Sequence, residues 1–217
     1  TDLGAYTFQE CTGLTDVTIG NGLTSIGEYT FQFCTSLKNV TLGKNVTYIG
    51  ERAFDNCGGL ISMTIPGNVT GFGDNVFADC IGLTSVTIEN GVTSLGRGMF
   101  MRCTSLADVK IPDTVTSIAY SAFSGCTSLT NMVIPDSVTT IESDAFSGCS
   151  GLTSVVIPNS VTTIEYGAFS GCTSLTSVVI PDSVTSLGEY VFNYCTNLTS
   201  AVIGKGVTSI SYGLFYD

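Results

Sequence analysis

Phenylalanine recurs at positions 8, 31, 54, 77, 100, 123, 146, 169, 192 and 215, and cysteine at 11, 34, 57, 80, 103, 126, 149, 172 and 195; every interval in both series is 23 residues. Leucine keeps the same register from Leu14 through Leu37 and Leu60 to Leu198, without insertion or deletion. A fixed period of this length marks a repeat architecture, in which each unit buries its apolar face only against its neighbours. The whole chain, residues 1–217, is therefore predicted to be one solenoid of about nine 23-residue repeats with partial repeats at both ends and no separate caps. It opens at Thr1, inside a repeat, and is expected to be part of a longer protein.

One unit, read from Cys126, runs C-T-S-L-T-N-M-V-I-P-D-S-V-T-T-I-E-S-D-A-F-S-G. Met132 and Ile134 alternate with outward residues, which predicts a short strand. Pro135, Asp136 and Ser137 form a turn signal. Ile141, Ala145, Phe146 and Cys149 fall at i, i+4, i+5 and i+8, a spacing that predicts one face of a short helical segment. The expected fold is an α/β arc with a parallel sheet on its concave face and short helical segments on its convex face.

The L-x-x-V-x-I core over Leu129–Ile134 resembles the leucine-rich repeat, and the fuller pattern with I-P-x-x-V-x-x-I and A-F-x-x-C resembles the BspA-like, or Treponema-type, 23-residue variety. The resemblance covers the whole chain. Its departures are local: Gly20, Gly43, Glu89 and Gly204 stand in the proline slot, Ala201 in a strand valine slot and Phe72 in an isoleucine slot. The resemblance implies an extracellular or cell-surface protein that adheres to matrix proteins or other cells. It carries over no catalytic residue, because the motif is structural.

Charge narrows the partners. The chain carries a net charge of −11 with only 12% charged residues, and Lys205 is the one basic residue beyond position 110. Nucleic acid requires a basic stripe to neutralise phosphates, and none exists here. An anionic membrane surface is disfavoured for the same reason, and no apolar run reaches the roughly 18 residues of a spanning helix, so no membrane insertion is expected. Nucleophilic catalysis needs a neighbouring base, and histidine is absent. A column of nine cysteines does not converge on one point as zinc ligation demands, so neither a metal nor a cofactor is expected; the thiols read as small buried hydrophobes.

Several recurrent slots carry polar residues. Asp113, Asp136, Asn159 and Asp182 share a turn slot, where one carboxylate per repeat is thin for calcium. Glu28, Glu51, Asp74 and Glu189, with Glu142 and Glu165 one residue earlier, stand where acids would favour a helix N-terminus. Asn45, Asn68, Thr114, Ser137, Ser160 and Ser183 fill a slot expected to hydrogen-bond backbone within the turns, with Gly22, Gly91 and Gly206 in the other repeats.

The outward strand face is the informative surface. Its residues run Asp16 and Thr18, Asn39 and Thr41, Ser62 and Thr64, Ser85 and Thr87, Asp108 and Lys110, then Asn131 and Val133, Ser154 and Val156, Ser177 and Val179, Ser200 and Val202. A threonine column becomes a valine column. Strand propensity accounts for either residue, yet stacked exposed valines also form an apolar stripe of the kind that marks contact sites. The candidate binding residues are Val133, Val156, Val179, Val202, Asn131, Ser154, Ser177, Asp108 and Lys110, with a protein or glycan ligand on the concave face. N-x-[ST] sequons occur at Asn39, Asn45, Asn68 and Asn197. Asn39 and Asn197 are the glycosylation candidates, and Asn45 and Asn68 are expected to be buried. The unbroken register also permits end-to-end self-association, giving a stalk or fibre as the alternative to a binding module.

Overall fold

A computed structural model, describing residues 1–216, shows a β-solenoid of about nine turns. Each turn contributes to two rows of parallel strands. The long-strand row runs Asp16–Thr18, Asn39–Thr41, Ser62–Ile65, Ser85–Ile88, Asp108–Lys110, Asn131–Val133, Ser154–Val156, Ser177–Ile180 and Ser200–Ile203. Wherever neighbouring strands pair, each residue faces its counterpart one repeat on, as Met63 faces Val86 and Val178 faces Ala201. The strands join as Asp16–Thr18 with Asn39–Thr41, the three from Ser62 to Lys110, Asn131–Val133 with Ser154–Val156, and the last two together, leaving three breaks in the row.

The short-strand row consists of two-residue strands. Asp2–Leu3, Ser25–Ile26, Tyr48–Ile49 and Gly71–Phe72 form one sheet; Ser117–Ile118, Thr140–Ile141, Thr163–Ile164 and Ser186–Leu187 form another. The interruption falls in the turn where Glu89 occupies the proline slot and Gly91 takes a φ of 112°.

The expected helical segments do not form: no helix exists among the described residues. Ile141 lies in a short strand, and residues 142–149 are a succession of tight turns. Within them Ala145 N–H donates to Glu142 O (3.2 Å), Ser147 to Asp144 O (3.0 Å) and Cys149 to Phe146 O (3.2 Å). The alternate amides cross to the next repeat: Asp144 to Tyr166 O (2.9 Å), Phe146 to Ala168 O (2.8 Å) and Gly148 to Ser170 O (2.7 Å). A helix would spend these donors inside its own segment. The solenoid uses them to stitch one turn to the next, which is why the turn arrangement prevails.

Two residues per turn hold the chain out of the helical region. One positive-φ column runs from Tyr6 through Tyr29, Arg52, Asn75, Gly98, Ser121, Asp144, Gly167 and Tyr190 to Gly213; the second runs from Glu10 through Phe33, Asn56, Asp79, Arg102, Gly125, Gly148 and Gly171 to Tyr194. Non-glycine residues there cost about 1–2 kcal/mol each. Neighbouring contacts offset part of that cost: the Tyr29 ring stacks on Tyr6 at 5.0 Å, and its hydroxyl donates to Glu51 Oε1 at 2.9 Å.

Inside, the phenylalanines form a continuous stack from Phe8 to Phe215, with centroids 5.1–5.7 Å apart and planes within 16°. Beside it stand the cysteines. Cys34, Cys57, Cys80, Cys103, Cys126, Cys149, Cys172 and Cys195 are buried, and each Sγ–H donates to the carbonyl of the phenylalanine 26 residues earlier, at 3.1–3.3 Å. Burial pushes the Cys34 thiol up to about 11 and Cys149 to about 12. These thiols stay protonated at neutral pH and are therefore poor nucleophiles, consistent with a packing role.

Candidate functional site

The long-strand row projects its outward residues away from the phenylalanine core. Inward residues such as Met63, Val86, Met132 and Val178 are buried, whereas Thr18, Thr41, Thr64 and Thr87 are exposed. Val133, Val156, Val179 and Val202 are 73%, 61%, 58% and 54% exposed. Strand pairing sets Val133 beside Val156 and Asn131 beside Ser154; it likewise sets Val179 beside Val202 and Ser177 beside Ser200. Ser154 Oγ donates to Asn131 Oδ1 at 2.7 Å, fixing the polar edge of the first valine pair. The strands carrying Val156 and Val179 are neighbours without ladder pairing, so the stripe consists of two paired steps.

Asp108 and Lys110 are exposed, but their strand pairs with Ser85–Ile88 and belongs to the threonine part of the face. Among the sequon asparagines, Asn39 is exposed and its Nδ2 donates to Asp16 Oδ1 at 2.6 Å; Asn197 is exposed and donates to Thr173 O at 2.7 Å. Asn68 is half-buried, while Asn45, expected inside, is exposed. Asn39 also borders a pocket of about 310 Å³ where the long-strand row breaks before Ser62, with Thr41, Leu42, Thr64 and Pro66 on its walls.

The polar slots act between turns. Asn45 Nδ2 donates to Asn21 O, Asn68 Nδ2 to Val46 O, Ser137 Oγ to Val115 O (2.6 Å) and Ser183 Oγ to Val161 O (2.8 Å). Ser160 is the exception, with a buried hydroxyl lacking a partner among the described residues. With no helix to cap, the acids bind backbone amides of the preceding turn: Glu142 Oε2 accepts from Tyr120 N–H at 2.9 Å and Glu165 Oε2 from Ser143 N–H at 3.0 Å. Asp182 Oδ1 accepts from Lys205 N–H in the next turn at 2.8 Å.

A further polar ladder was not anticipated from sequence. Gln9 Nε2 donates to Gln32 Oε1 and Gln32 Nε2 to Asp55 Oδ2, both at 2.8 Å. Asp55 is only 5% exposed, and burial pushes its carboxyl above the usual range. Nearby, Arg102 grips Asp79 through two bonds of 2.8 and 2.7 Å. The sequence signal was a second 23-residue register at positions 9, 32 and 55, visible only once the turns were known to stack.

A solenoid of stacked parallel strands and turns, with the outward residues of successive strands in one row, is a scaffold of the repeat-protein class. The leucine-rich repeat region of BspA type matches residues 1–130 and 116–217 in six copies, and the chain belongs to that family. It superposes with a TM-score of 0.86 on a leucine-rich repeat protein from Bacteroides ovatus, at 32% identity over 94% of this chain and 55% of that one. A leucine-rich cell-surface protein from Faecalibacterium prausnitzii gives a TM-score of 0.69 and 33% identity over 99% of this chain and 68% of that one. The pneumococcal vaccine antigen PcpA gives 0.67 and 26% over 95% and 54%. The chain thus spans about half the length of the first and third of these. No curated protein matches it. Repeats of this family are generally structural or binding scaffolds rather than enzymes, and no helix among the described residues is long and apolar enough to cross a membrane.

Proposed function

We propose that this chain is a cell-surface protein-binding module of the adhesion type, and that it engages its partner through the long-strand face, the side expected to be concave. The observation that carries this reading is the column Val133, Val156, Val179 and Val202, each more than half exposed where the first four strands of the row present threonine and the fifth Lys110. β-Branched apolar side chains held on a paired backbone offer contact area with little entropy left to lose. Asn131, Ser154 and Ser177 border the stripe with hydrogen-bonding groups, and Asp108 and Lys110 lie at its edge in sequence order. The cell-surface relative from F. prausnitzii supports the location.

The test is binding of the purified chain to immobilised collagen, fibronectin and laminin, with folding followed by circular dichroism. The variant Val156→Ser/Val179→Ser removes apolar area worth about 1.5–3 kcal/mol per fully buried side chain, so affinity falls at least about tenfold. Unchanged affinity in a folded variant refutes the use of this face. A second reading, a stalk built by end-to-end stacking, draws on the unbroken register of the paired strands; light scattering over a concentration series separates a discrete particle from a growing filament.

A further inference from the structure

A cavity of about 180 Å³ opens on the turn segments of the second to fifth turns, with described turns on both sides of it. Six of the ten residues that line it stand at positive φ: Phe33, Arg52, Asn56, Asn75, Asp79 and Arg102. Non-glycine residues are strained in this conformation. The later turns show that the frame accepts glycine in both slots, at Gly98 and Gly167 in the first and at Gly125, Gly148 and Gly171 in the second. Burial does not offset the strain at Phe33, which is exposed. Nor does it at the arginines, where the Arg52 and Arg102 side chains are 44% and 60% exposed. Two of the chain's three arginines thus reach one small cavity from strained positions.

The hydrogen bonds specify the occupant. The carboxylates of the cavity are engaged. Asp79 accepts from Arg102 Nε and Nη2 at 2.8 and 2.7 Å, and Asp55 accepts from Gln32 Nε2 at 2.8 Å and Asn56 Nδ2 at 3.1 Å. The guanidinium donors are left over. Arg52 makes no hydrogen bond among the described residues; its nearest carboxylate oxygen, Glu51 Oε1 at 3.9 Å, already accepts from the Tyr29 hydroxyl. Arg102 Nη1 likewise has no partner among the described residues. A guanidinium presents five N–H donors in a planar fork that matches a carboxylate. We propose that this cavity binds the carboxylate of a small organic acid: its oxygens accept from Arg52 and from Arg102 Nη1, and its apolar body packs on the Phe33 ring. Asp55 and Asp79 on the same wall disfavour a doubly charged phosphate, and the exposed ring gives an inorganic anion nothing to pack on. The volume lies below the roughly 300–1,000 Å³ of drug-sized sites, which suits a molecule of one ring. The chain's overall negative charge acts weakly here, because exposed charges are screened beyond about 8 Å at physiological salt.

The experiment titrates the whole chain with benzoate by calorimetry and by saturation-transfer NMR. Benzamide serves as the neutral isostere and inorganic phosphate as the rival anion. Benzoate is expected to bind saturably with a dissociation constant on the order of 1 mM, within the efficiency open to so small a ligand. Benzamide binds at least about tenfold more weakly, because it lacks the charge-assisted bonds. This comparison uses the parent chain and needs no variant. Arg52→Gly and Phe33→Gly place in each slot the glycine that later turns carry there, so the backbone is preserved; thermal melting confirms folding. Arg52→Gly weakens benzoate binding at least about fivefold and Phe33→Gly about threefold, while Val156→Ser/Val179→Ser leaves it unchanged. No saturable binding of benzoate at about ten times the expected constant, equal binding of benzamide, tighter binding of phosphate, or affinity that survives Arg52→Gly overturns the proposal. Because the valine face is untouched, these outcomes are independent of the matrix-binding test.

Discussion

The first five turns and the later ones share a backbone but place their chemistry on opposite parts of it. In the early turns the outward strand slot carries Thr18, Thr41, Thr64, Thr87 and then Lys110, and most positive-φ slots hold large or polar side chains, among them Tyr29, Arg52, Asn75, Phe33, Asn56 and Asp79. Those side chains lie in the region of the Gln9–Gln32–Asp55 ladder and the Arg102–Asp79 pair. In the turns after Arg102 the second slot becomes Gly125, Gly148 and Gly171, and the outward strand position becomes valine. Tyr190 and Tyr194 then return large side chains to the turns. The difference teaches that a solenoid's faces vary independently. The core column and the backbone stitching fix the frame, and each outward slot is free to carry any chemistry that the backbone tolerates.

If the frame is common to both regions, core truncations should cost the same in each. Phe54→Ala and Phe123→Ala each remove a fully buried ring with a stacked neighbour on both sides. Each is expected to lower unfolding free energy by about 3–5 kcal/mol in urea denaturation. A difference larger than about 2 kcal/mol between them would show that the two regions are not energetically equivalent.

A smaller effect sharpens the contrast in the turns. Gly148 has a φ of 70°, and a Cβ added there would meet only ordinary contacts with Gly125 at 3.8 Å. Gly148→Ala therefore isolates the backbone term and is expected to cost about 1–2 kcal/mol in the same assay. The opposite exchange in the early turns, Arg52→Gly, relieves the same strain but adds unfolded-state entropy, and is expected to change stability by less than about 1 kcal/mol. A neutral Gly148→Ala would remove the account of why glycine occupies the later turns.

The smallest expected effect belongs to Asp55. Burial raises its carboxyl pKa in the folded state, so the folded chain binds the proton more tightly than the unfolded chain does. Stability is then greatest below the unfolded pKa and declines as pH rises through that value to the folded one. Asp55→Asn removes this titration, so its stability should show less decline than the parent's as pH rises from about 4, the ordinary carboxylate value. Parallel profiles for variant and parent would show that Asp55 is not the group responsible.

Much of the fold was legible because one register governs everything. Phe, Cys and Leu at constant spacing marked the solenoid, the L-x-x-V-x-I and A-F-x-x-C patterns carried the family resemblance, and the valine exposures agree with strand alternation. The turns were misread because i, i+4, i+5 and i+8 is the inward spacing both of a helix and of this turn ladder. Glycine at positive φ marks the turn ladder at Gly125, Gly148 and Gly171, but Tyr6, Tyr29, Arg52 and Phe33 occupy the equivalent slots in the early turns and obscure the signal as a repeat-wide pattern.

By itself, then, the sequence determined the periodicity, the buried columns and which residues point outward, because burying an apolar residue once in each repeat leaves one workable register. Only the tertiary structure decided how the backbone between those columns is hydrogen-bonded. Amides at alternate turn positions have acceptors in both their own turn and the next, and the stacked neighbour, absent from any single repeat, supplies the partner that excludes the helix.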